Sequence, residues 1–478
     1  MVLLYILLTL ILVFILIIAI KTYHFKPQPL DQPNLNKPAI DDKKAIAALQ
    51  AMLKIKTVSY EDKSKEDKKA FDAFKDLLLK NYPNINEHAK FMTIGETGLL
   101  FKLKGQNNSE PIVLMSHYDV VPQNGQWQKD PFCGEMVEGK IYGRGAIDTK
   151  ATLAAIMEAT EARLKEKKAL KRDLYLAFSG DEETRGPSAP TIVDYLKNQG
   201  IKPWLVLDEG GAIVKDAFKG VEKPAAFIGL AEKGYVNIKI EANVQGGHAS
   251  MPPKVMAVSK LAKAVRVLNK DKTFKKRLPE PTKLMFDALA RHSKNSIIRI
   301  AFANLWCFWP IIKWQARKSP LLASLLKTTQ AFTMMEASDA MNVLPSSAHL
   351  GINYRIISGE TKESVLNLVK SKVEKYGLTV TMEKGADPTS ISEMGPSYHV
   401  LEETIKDIFG EVIITPYLMM AGTDARYHHD ISKHVYRFSP MLFTKEDRSM
   451  IHGVDEAVRV ESYLDCVAFY NQLLSHIT

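Results

Sequence analysis

The longest unbroken apolar run opens the chain. Val2 to Ile20 read VLLYILLTLILVFILIIAI, nineteen positions without a charge. As a helix rising about 1.5 Å per residue, this run nearly covers a hydrocarbon layer of about 30 Å. It predicts a single-pass membrane anchor over residues 1–20. A secretory signal is the competing reading, and it calls for a charged start, a shorter apolar core and a small-residue cleavage site. Here Met1 leads straight into the run, and AIKTYHFKPQP is a poor cleavage site. Residues 21–42 hold four prolines and no periodicity, as in an extended linker.

Beyond the linker, short apolar runs alternate with helical patterns. EPIVLMSHYD, DLYLAFSGDEE and KPWLVLDEGG read as strands, and ATLAAIMEATEARLKEK and TIVDYLKNQG read as helices. The strand runs are apolar at consecutive positions, as in strands covered on both faces, so the order implies a parallel-rich α/β sheet sandwiched by helices. Around Tyr235 the period changes. GYVNIKIEANV alternates with period two, PKVMAVSKLAKAVRVL is helical, and AHLGINYRII and a helix carrying Val365, Leu368, Val369 and Val373 follow. This predicts a smaller α+β domain over 235–390, inserted between the parts 43–234 and 391–478 of the first. The first domain ends in the amphipathic helix VESYLDCVAFYNQLL. Within the inserted segment, Ile298 to Gln315 (IRIAFANLWCFWPIIKWQ) reads by default as core, with an apolar substrate channel or a membrane-dipping patch as alternatives.

Composition narrows the class. Apolar content of 46% and charged content of 25% are those of a globular protein with a large core. The 64 basic and 54 acidic residues give +10, but the lysines are scattered among acids in runs such as DKSKEDKK. No basic stripe with interleaved aromatics occurs, which argues against nucleic acid as a partner. Lys21 and Lys26 after the apolar run favour a cytoplasmic body under the positive-inside rule. Three scattered cysteines form neither a disulfide framework nor a C-x-x-C knuckle.

The chemistry sits where strands end. SHYDVVP puts His117 and Asp119 at positions i and i+2. These share one face of a strand, an arrangement suited to a metal-binding imidazole steadied by a carboxylate. GRGAIDTKA places Asp148 between a glycine turn and a helix, where it also suits a helix cap. SGDEETRG stacks Asp181, Glu182 and Glu183, which repel one another at a buried strand end unless cations neutralise them. Of Glu182 and Glu183, adjacent and divergent, one can ligate while the other acts as a general base. LDEGG adds Asp208 and Glu209, and MIHGVDE adds His452. Two histidines with several carboxylates and no cysteine suit a pair of Zn²⁺ ions, with Mn²⁺ or Co²⁺ as substitutes. GEMVEGK has nucleotide-loop spacing, but Ile141 stands where a Ser or Thr would hold Mg²⁺. Neither G-x-S-x-G nor H-E-x-x-H occurs.

Together SHYDVVP, GRGAIDTKA, GDEETRG, LDEGG, GGHASMPP and MIHGVDE resemble the di-zinc aminoacylase/carboxypeptidase family. Within it the sequence is most similar to the branch of carboxypeptidase S and the N-fatty-acyl-amino-acid synthase/hydrolases. The resemblance runs from about residue 45 to the C-terminus. It implies a zinc-peptidase-like catalytic domain with a ferredoxin-like lid that also mediates homodimerisation. It further implies amide hydrolysis of N-acyl amino acids or of the C-terminal bond of short peptides. Asp148 would bridge two zinc ions, with His117 and Asp208 completing one site and Glu183 and His452 the other. Asp119 would orient His117, Glu182 would be the base, and His248 would stabilise the oxyanion. Asn342 and Arg355 would hold the substrate carboxylate. Members use Asp or Glu at the LDEGG position; Asp208 is taken here, with Glu209 the adjacent alternative. A catalytically inactive binding module is the other reading of the same scaffold, but such relatives lack a ligand or the base, and here every position is filled.

Overall fold

The computed structural model describes residues 1–27, 35–270 and 273–477. Helix α1 spans Val2–His24, past the expected end at Ile20, and none of its residues is buried. The linker's middle, residues 28–34, lies outside the described residues. Its flanks rest on the body. Phe25 is buried under the Arg291 guanidinium, and Lys37 pairs with Asp465 at 2.6 Å.

The main sheet has ten strands. They are β1 (Ala89–Ile94), β2 (Gly98–Leu103), β3 (Asn107–His117), β4 (Arg172–Ser179), β5 (Leu205–Asp208), β6 (Ile213–Val214), β7 (Ala225–Glu232), β14 (Ile413–Met419), β15 (Val435–Arg437) and β16 (Leu442–Phe443). Their spatial order is β1-β2-β4-β3-β5-β15-β7-β6-β16, with β14 paired to β7. The centre, β4-β3-β5-β15, is parallel, whereas β1 and β2 add an antiparallel edge. The consecutive apolar residues of β3 now have a cause. Ile112 and Leu114 face the core built with helices α2 (Lys150–Lys165) and α8 (Val460–Ile477), and Val113 and Met115 face the helix Ser188–Asn198 on the other side. Both faces are dry, so no polar alternation is possible.

The inserted unit matches its period-two reading. Strand β8 (Gly234–Asn243) and strand β12 (Ser347–Ile356) bury every second residue. With β10 (Thr329–Glu336) and β13 (Thr379–Ala386) they form an antiparallel sheet in the order β10-β12-β8-β13. Helices α3 (Ala257–Leu268) and α7 (Lys362–Val373) pack their aliphatic rows on it. Strand-helix-strand-strand-helix-strand in this order is the ferredoxin-like arrangement. A two-stranded ribbon, β9 (Gly247–His248) with β11 (Val343–Leu344), projects from the unit.

The stretch Ile298–Gln315 meets the core expectation only in part, with Phe302, Leu305, Trp309 and Ile312 packed in one apolar cluster and other positions exposed. It forms α5 (Ser296–Ala303) and α6 (Leu305–Gln315), bent by 117° at the break between them. Of these two helices only Ile312 is buried. Together with α4 (Glu280–Arg291) they leave the lid and pack over β7 and β14 of the main sheet through Met285, Phe286 and Leu289. Sequence order within the insertion therefore hid a return of the chain to the first body.

Candidate metal centre and catalytic site

Three parallel strands deliver the site from their carboxyl ends, where an α/β sheet opens to ligands. His117 is the last residue of β3 and is 2% exposed. Its Nδ1 lies 3.0 Å from the main-chain oxygen of Asp119 and 3.4 Å from that residue's carboxylate. The carbonyl is thus the nearer anchor of the ring. Because the strand stops at His117, the Asp119 carboxylate is free for another duty: it accepts the N–H groups of Glu182 and Glu183, each at 3.1 Å, and the Ser59 hydroxyl at 2.7 Å. It pins the acidic loop that follows β4.

His117 Nε2 points into a carboxylate cluster. Asp148 Oδ1 and Glu209 Oε1 both lie 3.1 Å from it. The other oxygen of Asp148 lies 3.0 Å from His452 Nε2, and Glu183 Oε2 lies 3.2 Å from the same nitrogen. Two triads result, His117-Asp148-Glu209 and Asp148-Glu183-His452, each with donor atoms within 4.8 Å of one another. Asp148 is common to both through opposite oxygens. It is not the helix cap, since Thr149 holds that position without a side-chain bond.

The three consecutive acids after β4 diverge. Asp181 turns back to accept the Ser188 N–H at the next helix start, Glu183 joins the second triad, and Glu182 belongs to neither. Burial pushes Glu182 well above the usual carboxylate range and raises Glu183 as well.

At LDEGG the structure corrects the expectation. Asp208, the last residue of β5, turns away from the histidines: its oxygens accept the Glu209 N–H at 2.9 Å and the Ala425 N–H at 2.8 Å. Glu209 takes the place beside His117. Successive side chains leave a strand on opposite sides, so only one of the two can face the cluster. The turn that follows needs glycine, because a Cβ on Gly211 would lie 1.8 Å from the Phe227 carbonyl oxygen.

Two residues escaped sequence reasoning although they sit inside quoted motifs. Glu456 is fully buried and accepts N–H groups from Gly145, Ile147 and Asp148. It also takes the Arg144 guanidinium at 2.8 Å, and Arg144 donates to the carbonyls of His452 and Gly453. This pair shapes both the Asp148 loop and the His452 turn. Partners 312 residues apart leave no local signature.

The donor set fits a pair of divalent cations. Burial lifts Glu209 to about 8, and hydrogen bonds donated to Asp148 and Glu183 draw His452 up to about 10. Burial alone would depress His117, but Glu209, Asp119 and Asp148 raise it well above its usual value. Asp148, by contrast, is held below its usual range by hydrogen bonds from His117 and His452, so in the bare chain protonated imidazoles carry the positive charge that the carboxylates need. Two metals would meet the same need, and the chain would offer each of them an imidazole, a carboxylate and a share of Asp148.

The remaining expected residues stand apart from the cluster. His248 is exposed on the ribbon, with Nδ1 2.7 Å from Ser250 Oγ. Asn342, also exposed, accepts the Ala249 N–H at 3.0 Å through its main-chain oxygen. Among the described residues neither makes a hydrogen bond to the acidic cluster. Arg355 lies on β12 opposite Tyr235. Burial and the nearby guanidiniums of Arg185 and Arg426 lower its pKa. Arg185, two residues past Glu183, stacks 3.6 Å from the Tyr235 ring centre. Positive charge therefore gathers at the seam between lid and main sheet, next to the acidic loop.

Known proteins resemble this chain in sequence and in fold. A sequence model of the family described as Peptidase family M20/M25/M40 matches residues 113–476. The chain is 33% identical over 447 residues to the N-fatty-acyl-amino acid synthase/hydrolase PM20D1.1 of Danio rerio, covering 91% of this chain and 85% of that one. It is 32% identical to the carboxypeptidase S-like 2 protein of Dictyostelium discoideum, covering 88% and 82%. Among solved structures, the M20 family metallo-carboxypeptidase Sso-CP2 from Sulfolobus solfataricus superposes with a TM-score of 0.68. At 17% identity, over 90% of this chain and 98% of that one, it shares the fold.

Proposed function

The chain belongs to peptidase family M20/M25/M40 and is a hydrolase of amide or peptide bonds, and on that premise we propose that it is a membrane-anchored, di-zinc enzyme cleaving N-acyl amino acids or the C-terminal bond of short peptides. The observation that carries this reading is the pair of triads sharing Asp148 with Glu182 left beside them. His117 and Glu209 would hold one metal and Glu183 and His452 the other, with Asp148 between.

When bound, the two metals supply Lewis-acid polarisation of the amide carbonyl and lower the pKa of a water. Glu182, next in sequence to Glu183 but outside the triads, receives the water's proton on a carboxylate oxygen and passes it to the departing amine nitrogen. Asp119 holds the Glu182 and Glu183 N–H groups, and with them the placement of base and ligand. Arg355 and Asn342 take the substrate carboxylate, with Arg185 and Arg426 adding to the positive potential there. His248 donates to the developing oxyanion. Its exposed ribbon suits delivery from a second copy of the chain. The lid edge β10, with Met334 and Met335 exposed, offers a surface for that pairing. The anchor is α1: 23 apolar-rich residues with none buried.

The test is a screen of N-acyl amino acids and dipeptides against the zinc-loaded chain, with Glu182→Gln as control. Turnover of one class that vanishes in the control supports the proposal. An intact metal content with no turnover of either class would return the scaffold to the binding-module reading.

A further inference from the structure

The elbow made by α5 and α6 is apolar on the outside, where a soluble body is usually polar. Ile297, Trp306, Ile311 and Trp314 are each at least 47% exposed. The elbow is also tied to α1. Asn304, at the bend, donates to Thr22 Oγ1 at 3.1 Å and to the Ile18 carbonyl at 3.4 Å. The Trp306 ring meets Phe14 edge-on at 5.6 Å, and Lys21 Nζ lies 5.5 Å from the same ring. Phe14 and Lys21 are seven residues apart in α1, or about 10 Å along its axis. Trp306 thus spans the depth from acyl chains to headgroups, the zone that indole rings favour at a bilayer boundary.

Between α1, α4 and the elbow lies a cavity of about 480 Å³. Phe302 and Trp306 line its apolar wall, and Lys21, Lys283 and Arg291 its charged wall. Its one lining carboxylate, Asp287, is held by Arg291 at 2.7 Å, so the lysines remain in excess. An apolar wall that continues along Trp306 towards Phe14, joined to a cationic wall at the C-terminal end of α1, describes one ligand.

We propose that this cavity is a site for an anionic phospholipid drawn from the leaflet that receives the C-terminal end of α1, its phosphate between Lys21 and Lys283 and an acyl chain along Phe302 and Trp306. The inference rests on reading α1 as a membrane anchor. Occupancy would give the body a fixed tilt over the bilayer, because the elbow then provides a second point of attachment.

The test uses the full chain in phosphatidylcholine vesicles containing phosphatidylglycerol, with bromines placed on the acyl chains of one lipid or the other at equal mole fraction. The signal is the quenched tryptophan emission that disappears in Trp306→Phe. Brominated phosphatidylglycerol should quench it at least about five-fold more effectively than brominated phosphatidylcholine, since even one of the two lysines confers that preference at an anionic surface. Lys21→Ala with Lys283→Ala should reduce that preference to parity. Equal quenching by both lipids in the wild type would overturn the headgroup site. No quenching by either, in a chain that still floats with the vesicles, would mean that protein covers the elbow. Failure to float would instead remove the anchor reading on which the site depends.

Discussion

Around Asp148 the chain fixes its own chemistry. The Asp119 and Glu456 carboxylates each accept hydrogen bonds from several distant groups, and His117 is 2% exposed. On the ribbon, His248 bonds to Ser250, two residues away, and Met341 beside Asn342 is fully exposed. One half of the proposed site is finished within a single chain and the other is held out to solvent. On the proposed reading, a catalytic centre divided in this way would set the metal by folding and the oxyanion contact by association.

The sharpest probe of this division is Glu182→Gln. It should leave metal content unchanged while kcat falls by about 10³-fold or more, since the proton carrier is lost and the triads are not. Loss of zinc by metal analysis would mean that Glu182 and Glu183 have exchanged roles. Next in size is His248→Ala, with a fall of about 10²–10³-fold in kcat and no change in metal content or thermal midpoint. Mixing it with Glu182→Gln should restore activity if the ribbon serves a partner's site; two variants that stay inactive together would place the ribbon over its own chain. Glu456→Gln should weaken metal binding by about 10–100-fold, the range for groups that hold ligands in place, and its retained apo-fold can be followed by circular dichroism. The smallest effect separates the neighbours at LDEGG. Asp208→Asn should cost about 1–3 kcal/mol of stability through its two main-chain partners while zinc titration stays near wild type. Glu209→Gln should instead lower zinc occupancy. The reverse pattern would restore Asp208 as the ligand.

Much of this was legible in the sequence because the chemistry follows unbroken apolar runs. A run that ends in His117, or in Asp181-Glu182-Glu183, must put charge at the mouth of a dry sheet. Period two in GYVNIKIEANV likewise marked a strand with one wet face. Asp208 and Glu209 were not separable, because the choice depends on the residue at which β5 stops and on a turn fitted against Phe227. Arg144 and Glu456 were hidden by their separation along the chain. The elbow stayed open between core, channel and membrane patch for another reason: LWCFWPIIKW has the composition of a core whether protein or lipid surrounds it. Sequence reports apolarity, and the structure reports what is left to cover it.

The Arg144–Glu456 pair also bears on how the enzyme is made. Its members come from the first third and the final stretch of the chain, and His452 arrives with Glu456. Domains fold as they emerge during synthesis, N-terminal parts first. Here the earlier strands can assemble while the proposed metal centre still lacks one wall. A chain lacking residues 452–456 would keep every strand of the main sheet and leave the Asp148 loop without Glu456. On the proposed reading, the acidic cluster would gain its last imidazole and its Glu456 support only when residues 452–456 join it.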